Sequence, residues 1–116
     1  AAEINRRTRA VLERLGLAER MQALPAQLSA GEQQRVGIAR AVVAEPALLL
    51  ADEPTGNLDP TLAAEIMALL AELPERGTSV LVVSHDLGLI RQMRRRVLVL
   101  DQGRLIDDIA PQELAP

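Results

Sequence analysis

Lysine is absent from this 116-residue chain, and all 13 of its basic residues are Arg. The phosphate-binding loop G-x-x-x-x-G-K-[ST] is therefore excluded, because its Lys is the group that reaches the β- and γ-phosphates. Phe, Trp and Tyr are absent too, so no ring can stack on a nucleobase. Without Cys there is no disulfide and no thiolate metal site, and a single His cannot build a zinc site by itself. No apolar run approaches the ~20 residues of a membrane span, and no signal-peptide pattern opens the chain. The net charge of -3 gives no reason to propose nucleic acid as a partner. These exclusions point to a cytoplasmic protein. The first residue is Ala rather than Met, which reads as a fragment or a processed start.

What remains is a soluble globular composition, 48% apolar and 25% charged, of a size for one domain at most. Two stretches organise it. Leu28-Ser29-Ala30-Gly31-Glu32-Gln33-Gln34-Arg35 reads as a loop that starts a helix. Ser29 and Glu32 have the capping-box spacing, and the helix runs from about Gly31 to Ala44, stopped by Pro46. Capping does not explain Gly31, which costs helix stability unless something approaches the backbone closely. A helix start with unpaired N–H groups is a natural anion site.

The second stretch, Leu48-Leu49-Leu50-Ala51-Asp52-Glu53-Pro54, reads as a strand covered on both faces whose end delivers adjacent carboxylates. Side-by-side acids are costly unless a cation or proton relieves them. Their place at a strand end, where open α/β sheets bind ligands, favours a metal and a water there.

Around these stretches the pattern predicts a first helix over Glu3–Leu15 ended by Gly16, with its Arg cluster as a solvated face, and a short second helix over Ala18–Leu24. Asp59 caps a helix over about Thr61–Leu73, with Pro60 at its first position. Ser79–Ser84 is a second apolar strand; strand–helix–strand order predicts parallel pairing. His85 follows it directly, at the sheet edge expected to hold Asp52 and Glu53. A short helix over Asp86–Met93 precedes Arg94-Arg95-Arg96, read as a solvated turn, and Val97–Leu100 and Arg104–Ile109 form an antiparallel hairpin.

These residues, in this order, resemble the ATP-binding-cassette (ABC) ATPases. Leu28-Ser29-Ala30-Gly31-Glu32 matches the signature motif, Leu48–Asp52 the Walker B strand, and Glu53 the catalytic carboxylate. Asn57-Leu58-Asp59 matches the D-loop and His85 the switch histidine. Within the family, the runs Gly31–Val43 and Leu49–Asp59 look most like the bacterial cell-division branch, with the lipoprotein-release and macrolide-export branches next.

The resemblance implies an α/β fold, the C-terminal half of a P-loop NTPase domain of the ABC type. Residues 1–45 would be its helical and signature segment and residues 46–116 the second half of its core. It implies ATP and Mg²⁺, a head-to-tail homodimer with ATP sandwiched between subunits, and an integral membrane permease-like subunit at the inner face of the bacterial plasma membrane. Ser29, Ala30, Gly31, Glu32 and Gln33 would then contact, in trans, the nucleotide seated on the partner. Asp52 would hold Mg²⁺ through water, Glu53 and His85 would be catalytic, and Asp59 would reach across the dimer. The chain departs from the family pattern at Ala30, where Gly is commonest, and in lacking the P-loop, the adenine-stacking aromatic and the Q-loop, so the chain by itself is expected to be inactive. A soluble ABC protein of translation or DNA repair, and a truncated module that only binds a partner, stand as alternatives.

Overall fold

Local side-chain chemistry sets the helix boundaries in the computed structural model, which describes residues 2–114. Helix α1 (Ala2–Arg14) gives way to Gly16, whose φ of 73° is a left-handed turn that a Cβ would oppose. The second helix expected over Ala18–Leu24 does not form; the segment makes separate 3-10 turns, Ala18–Arg20 and Pro25–Gln27. So short a segment gains too few hydrogen bonds to offset helix nucleation, and Pro25 starts a turn of its own. Helix α2 (Ala30–Val43) begins at Ser29 in the expected capping box.

Strand β1 (Leu48–Asp52) leads through α3 (Pro60–Glu72) to β2 (Ser79–Val83). Asp59 caps α3, its Oδ1 accepting from the Leu62 N–H at 3.0 Å. The α3 chain then tightens through Leu73–Arg76 and turns at Gly77, φ 97°. β1 and β2 pair in parallel, Leu48 beside Ser79 and Asp52 beside Val83. Buried Thr78 fixes the entry to β2, its hydroxyl donating to the Pro46 carbonyl at 2.7 Å.

The core of this first unit, which ends at Val83, comprises Leu15, Leu17, Ala39, Val42, Leu49, Ala63, Ile66, Met67, Leu69, Leu70 and Leu73. Helix α1 packs beside α2. Its Arg residues are not all solvated: Arg7 is half-buried and donates to the Val43 carbonyl at 2.6 Å, at the negative end of the α2 dipole, and Arg14 pairs with Glu72.

One expectation is overturned here. β1 is covered on one face only. Leu49 is buried and Ala51, Val80 and Val82 are half-buried, but Leu48, Leu50, Leu81 and Val83 are 57%, 68%, 50% and 55% exposed. The register puts these four, with Asp52, on the same side of the strand pair. A continuous apolar run reports that both faces suit burial; it does not supply the residues that would bury them.

The second unit, from Ser84 onward, contains α4 (Leu87–Met93), capped by Asp86, and the antiparallel hairpin of β3 (Val97–Asp101) and β4 (Arg104–Ile109). Gln102 and Gly103 form its turn with φ of 49° and 76°. Arg96 holds Asp108 through two hydrogen bonds of 2.8 and 2.6 Å. β3 pairs with β4 and not with β2, so among the described residues there are two separate two-stranded sheets.

Candidate functional site

Ser29 is exposed at the start of α2, and its Oγ accepts the Glu32 N–H at 3.1 Å. In return the Glu32 carboxylate accepts the Ser29 N–H at 2.9 Å and, through its other oxygen, Nε of Arg20 at 3.2 Å. The Ser29 backbone bond, then the hydrogen bond and charge of Arg20, hold the Glu32 carboxyl below the usual carboxylate range. Gln33 turns back to the preceding loop, donating to the Pro25 carbonyl at 3.1 Å and the Leu28 carbonyl at 3.3 Å. Thus Glu32 and Gln33 brace the helix start, while Ser29 and Ala30 stand exposed at its tip.

Gly31 faces the loop that follows β1. A Cβ there would lie 3.6 Å from a Leu58 methyl, an ordinary van der Waals contact. The space at Gly31 therefore does not by itself demand glycine. Arg35, which sequence reasoning left without a role, donates to the Gly31 carbonyl at 3.3 Å and the Leu15 carbonyl at 2.9 Å, fastening the first turn of α2 to the end of α1.

Asp52 is exposed at the carboxyl end of β1. Glu53 leaves the strand in a left-handed conformation, φ 49°. This conformation is uncommon for a residue with a side chain, and doubly so before a proline, which normally pushes its predecessor to extended backbone. The Glu53 N–H is fixed to the Val83 carbonyl at 2.7 Å, so β2 sets where the second carboxylate leaves the sheet. The loop onward is drawn in by Gly56 N–H to the Glu53 carbonyl, 3.2 Å, and by Gln34, whose Nε2 donates to the Pro54 carbonyl at 2.8 Å.

The chain brings the α2 tip and the Asp52–Asp59 segment together in one unit, because Gln34 and Gly31 both meet that segment. Asp59 is exposed and occupied as the α3 cap. His85 is exposed and lies just after the start of the second unit, where Ser84 Oγ accepts the Asp86 N–H at 3.0 Å. No group of three or more His, Asp or Glu side chains among the described residues gathers as a metal cage. Mg²⁺ takes one or two carboxylates plus waters and substrate phosphates; Asp52 is an exposed carboxylate at the carboxyl end of β1. Gln34 and Arg35 are what sequence reasoning missed. Their sequence signal is membership of the run Gly31–Val43, within which type and spacing give neither a role of its own.

A parallel strand pair with acids at its carboxyl end, and a capped helix start held against the loop that follows them, fit the class that comparison with known proteins points to. The chain is similar to the ABC transporter ATPase domains. The family profile described as "ABC transporter" matches residues 3–56. The fold is similar to the dimeric post-hydrolysis structure of the ATP-binding cassette MJ0796 bound to ADP and Pi, with a TM-score of 0.80 and 38% identity over 91% of this chain and 46% of that one. It is also similar to cbiO1 of Clostridium perfringens, part of the transporter complex cbiONQ, with a TM-score of 0.77 and 36% identity over 97% of this chain and 45% of that one.

Among curated proteins the chain is similar to the cell division ATP-binding protein FtsE. It is 52% identical to that of Mycobacterium tuberculosis over 90% of this chain, and 52% identical to that of Escherichia coli K12 over 89%. FtsE of Streptococcus pneumoniae D39 is 45% identical over 90%. The chain spans about half the length of these relatives, 46% in each case.

Proposed function

We propose that the chain is the C-terminal half of the ATP-hydrolysing subunit of an FtsE-like cell-division complex. In this reading two subunits sandwich ATP head to tail and act with an integral membrane permease-like partner at the inner face of the bacterial plasma membrane. The observation that supports it is the backbone at Glu53. A carboxylate next to Asp52 is held off the strand axis at φ 49° by a 2.7 Å hydrogen bond to the neighbouring parallel strand, in a chain 52% identical to FtsE. A strained conformation kept by surrounding bonds is typical of functional positions.

Phosphoryl transfer asks the protein for positioning and charge neutralisation more than for covalent chemistry. The roles are those that the resemblance to the ABC ATPases implies. Ser29 and the backbone of Ala30 and Gly31, at the positive end of α2, bind the γ-phosphate of ATP seated on the partner subunit. Glu32 and Gln33 hold that tip in shape. Asp52 would hold Mg²⁺, which when bound would neutralise phosphate charge. Glu53 orients the attacking water and takes its proton. His85 contacts the γ-phosphate, and Asp59 reaches the dimer interface.

The test joins the N-terminal half of Escherichia coli FtsE to this chain and measures ATP hydrolysis with Mg²⁺. The joined protein turns over, the isolated chain shows no activity above background, and Glu53→Gln lowers kcat by at least ~100-fold, the lower range for loss of a general base. Turnover by the isolated chain, or full activity in Glu53→Gln, would overturn the reading.

A further inference from the structure

The hydrogen bond between Gln34 and the Pro54 carbonyl connects two parts that the proposed function keeps separate. Gln34 lies one helical turn beyond Gly31 on the same face of α2, the face that meets the Pro54–Leu58 loop. A carbonyl oxygen only accepts, so the amide must present its nitrogen, and the orientation of this side chain is unambiguous. The bond is 2.8 Å and part-buried, and Pro54 itself is buried.

Its site of action is also particular. It grips the carbonyl of Pro54, the residue that follows Glu53, and the left-handed backbone of Glu53 before a proline persists only where neighbouring bonds over-determine it. Two of those bonds are backbone: Glu53 N–H to Val83 and Gly56 N–H to Glu53. Gln34 supplies a side-chain hold on the same short segment from outside the strand pair.

We propose that Gln34 is a positioning residue for Glu53, and that its bond makes the α2 tip and the Glu53 loop a single mechanical piece within each subunit. The inference rests on the functional reading above. In a head-to-tail sandwich the α2 tip serves the nucleotide on the partner, while Glu53 serves the nucleotide on its own subunit. A displacement of the tip by phosphate therefore reaches the carboxylate at the other site through one side chain.

The experiment uses the joined protein with two substitutions of similar length and opposite hydrogen-bonding capacity. Gln34→Glu presents an acceptor to an acceptor and breaks the hold; Gln34→Lys keeps a donor on a flexible stem. Gln34→Glu lowers kcat roughly 10-fold, less than the 100-fold that a fully misplaced reacting group costs. KM for ATP and ATP-driven dimerisation stay within about two-fold, since the loss falls on the transition state and not on binding. Gln34→Lys recovers most of the activity.

A merely structural role would lower the melting temperature and raise KM along with any fall in kcat, and that pattern overturns the proposal. So does wild-type kcat in Gln34→Glu, or an equal loss in Gln34→Lys. Glu53→Gln, run alongside, separates the two claims. If Glu53→Gln is inactive while Gln34→Glu is normal, the positioning role alone falls. If Glu53→Gln keeps turnover, the functional reading falls and takes this inference with it.

Discussion

Two neighbouring leucines on β1 should respond to truncation very differently. Leu49 is 5% exposed and Leu50 is 68% exposed. Leu49→Ala removes buried methyl groups and leaves a cavity, which costs about 3 kcal/mol. Leu50→Ala removes a side chain already two-thirds in water, so its cost stays under about 1 kcal/mol. With a urea m-value of about 1–1.5 kcal/mol/M for a chain of this size, the unfolding midpoints of the two variants should lie ~1.5–2 M apart. The assay is urea denaturation of the dilute chain, followed by far-ultraviolet circular dichroism. Joining the other half of the domain should then raise the cost of Leu50→Ala to ~2–3 kcal/mol, the value for a buried leucine. Leu48, Leu50, Leu81 and Val83 together forgo about 4 kcal/mol of burial while the face is bare. Equal costs for Leu49→Ala and Leu50→Ala in the dilute chain would refute the one-sided sheet.

Two further outcomes follow from single contacts. Thr78→Val keeps the shape but strands the Pro46 carbonyl that Thr78 now satisfies, and should cost about 1–2 kcal/mol in the same denaturation assay. Arg96 holds the Asp108 carboxyl below its ordinary 3.8 by hydrogen bonding, with charge attraction adding to it. Because the folded value is depressed, the contribution to stability is present above the ordinary carboxylate range and is lost as pH falls through the folded value. A carboxyl-carbon NMR titration of Asp108 should show the depression, and Arg96→Gln should return it toward 3.8.

What the sequence discloses is mostly what is decided within four residues. The caps at Ser29 and Asp59 both form, because cap chemistry depends on side chains three positions from their targets. The parallel pairing of β1 with β2 was also legible, since the connecting helix leaves room for little else. The bare side of that pair was not, because alternation and apolar content describe a strand's own side chains and not the layer above it. Nor were the contacts of Arg7, Gln34 and Arg35, each of which joins residues 20 or more positions apart through a polar side chain that reads as solvated. The placement of Ser29 at a helix start and of Asp52 and Glu53 at a strand end was legible from type and spacing. The left-handed turn at Glu53 was not, since a residue before proline is expected to be extended.

The parallel pair has a consequence for the order of assembly. Among the described residues, the strand partner of β1 is supplied by the continuous stretch Leu48–Val83. Closing so short a segment carries a modest entropic cost, so this pairing is favoured early. On a ribosome, the seat of Asp52 and Glu53 can set as soon as Val83 has left the exit tunnel, before β3 and β4 have been synthesised.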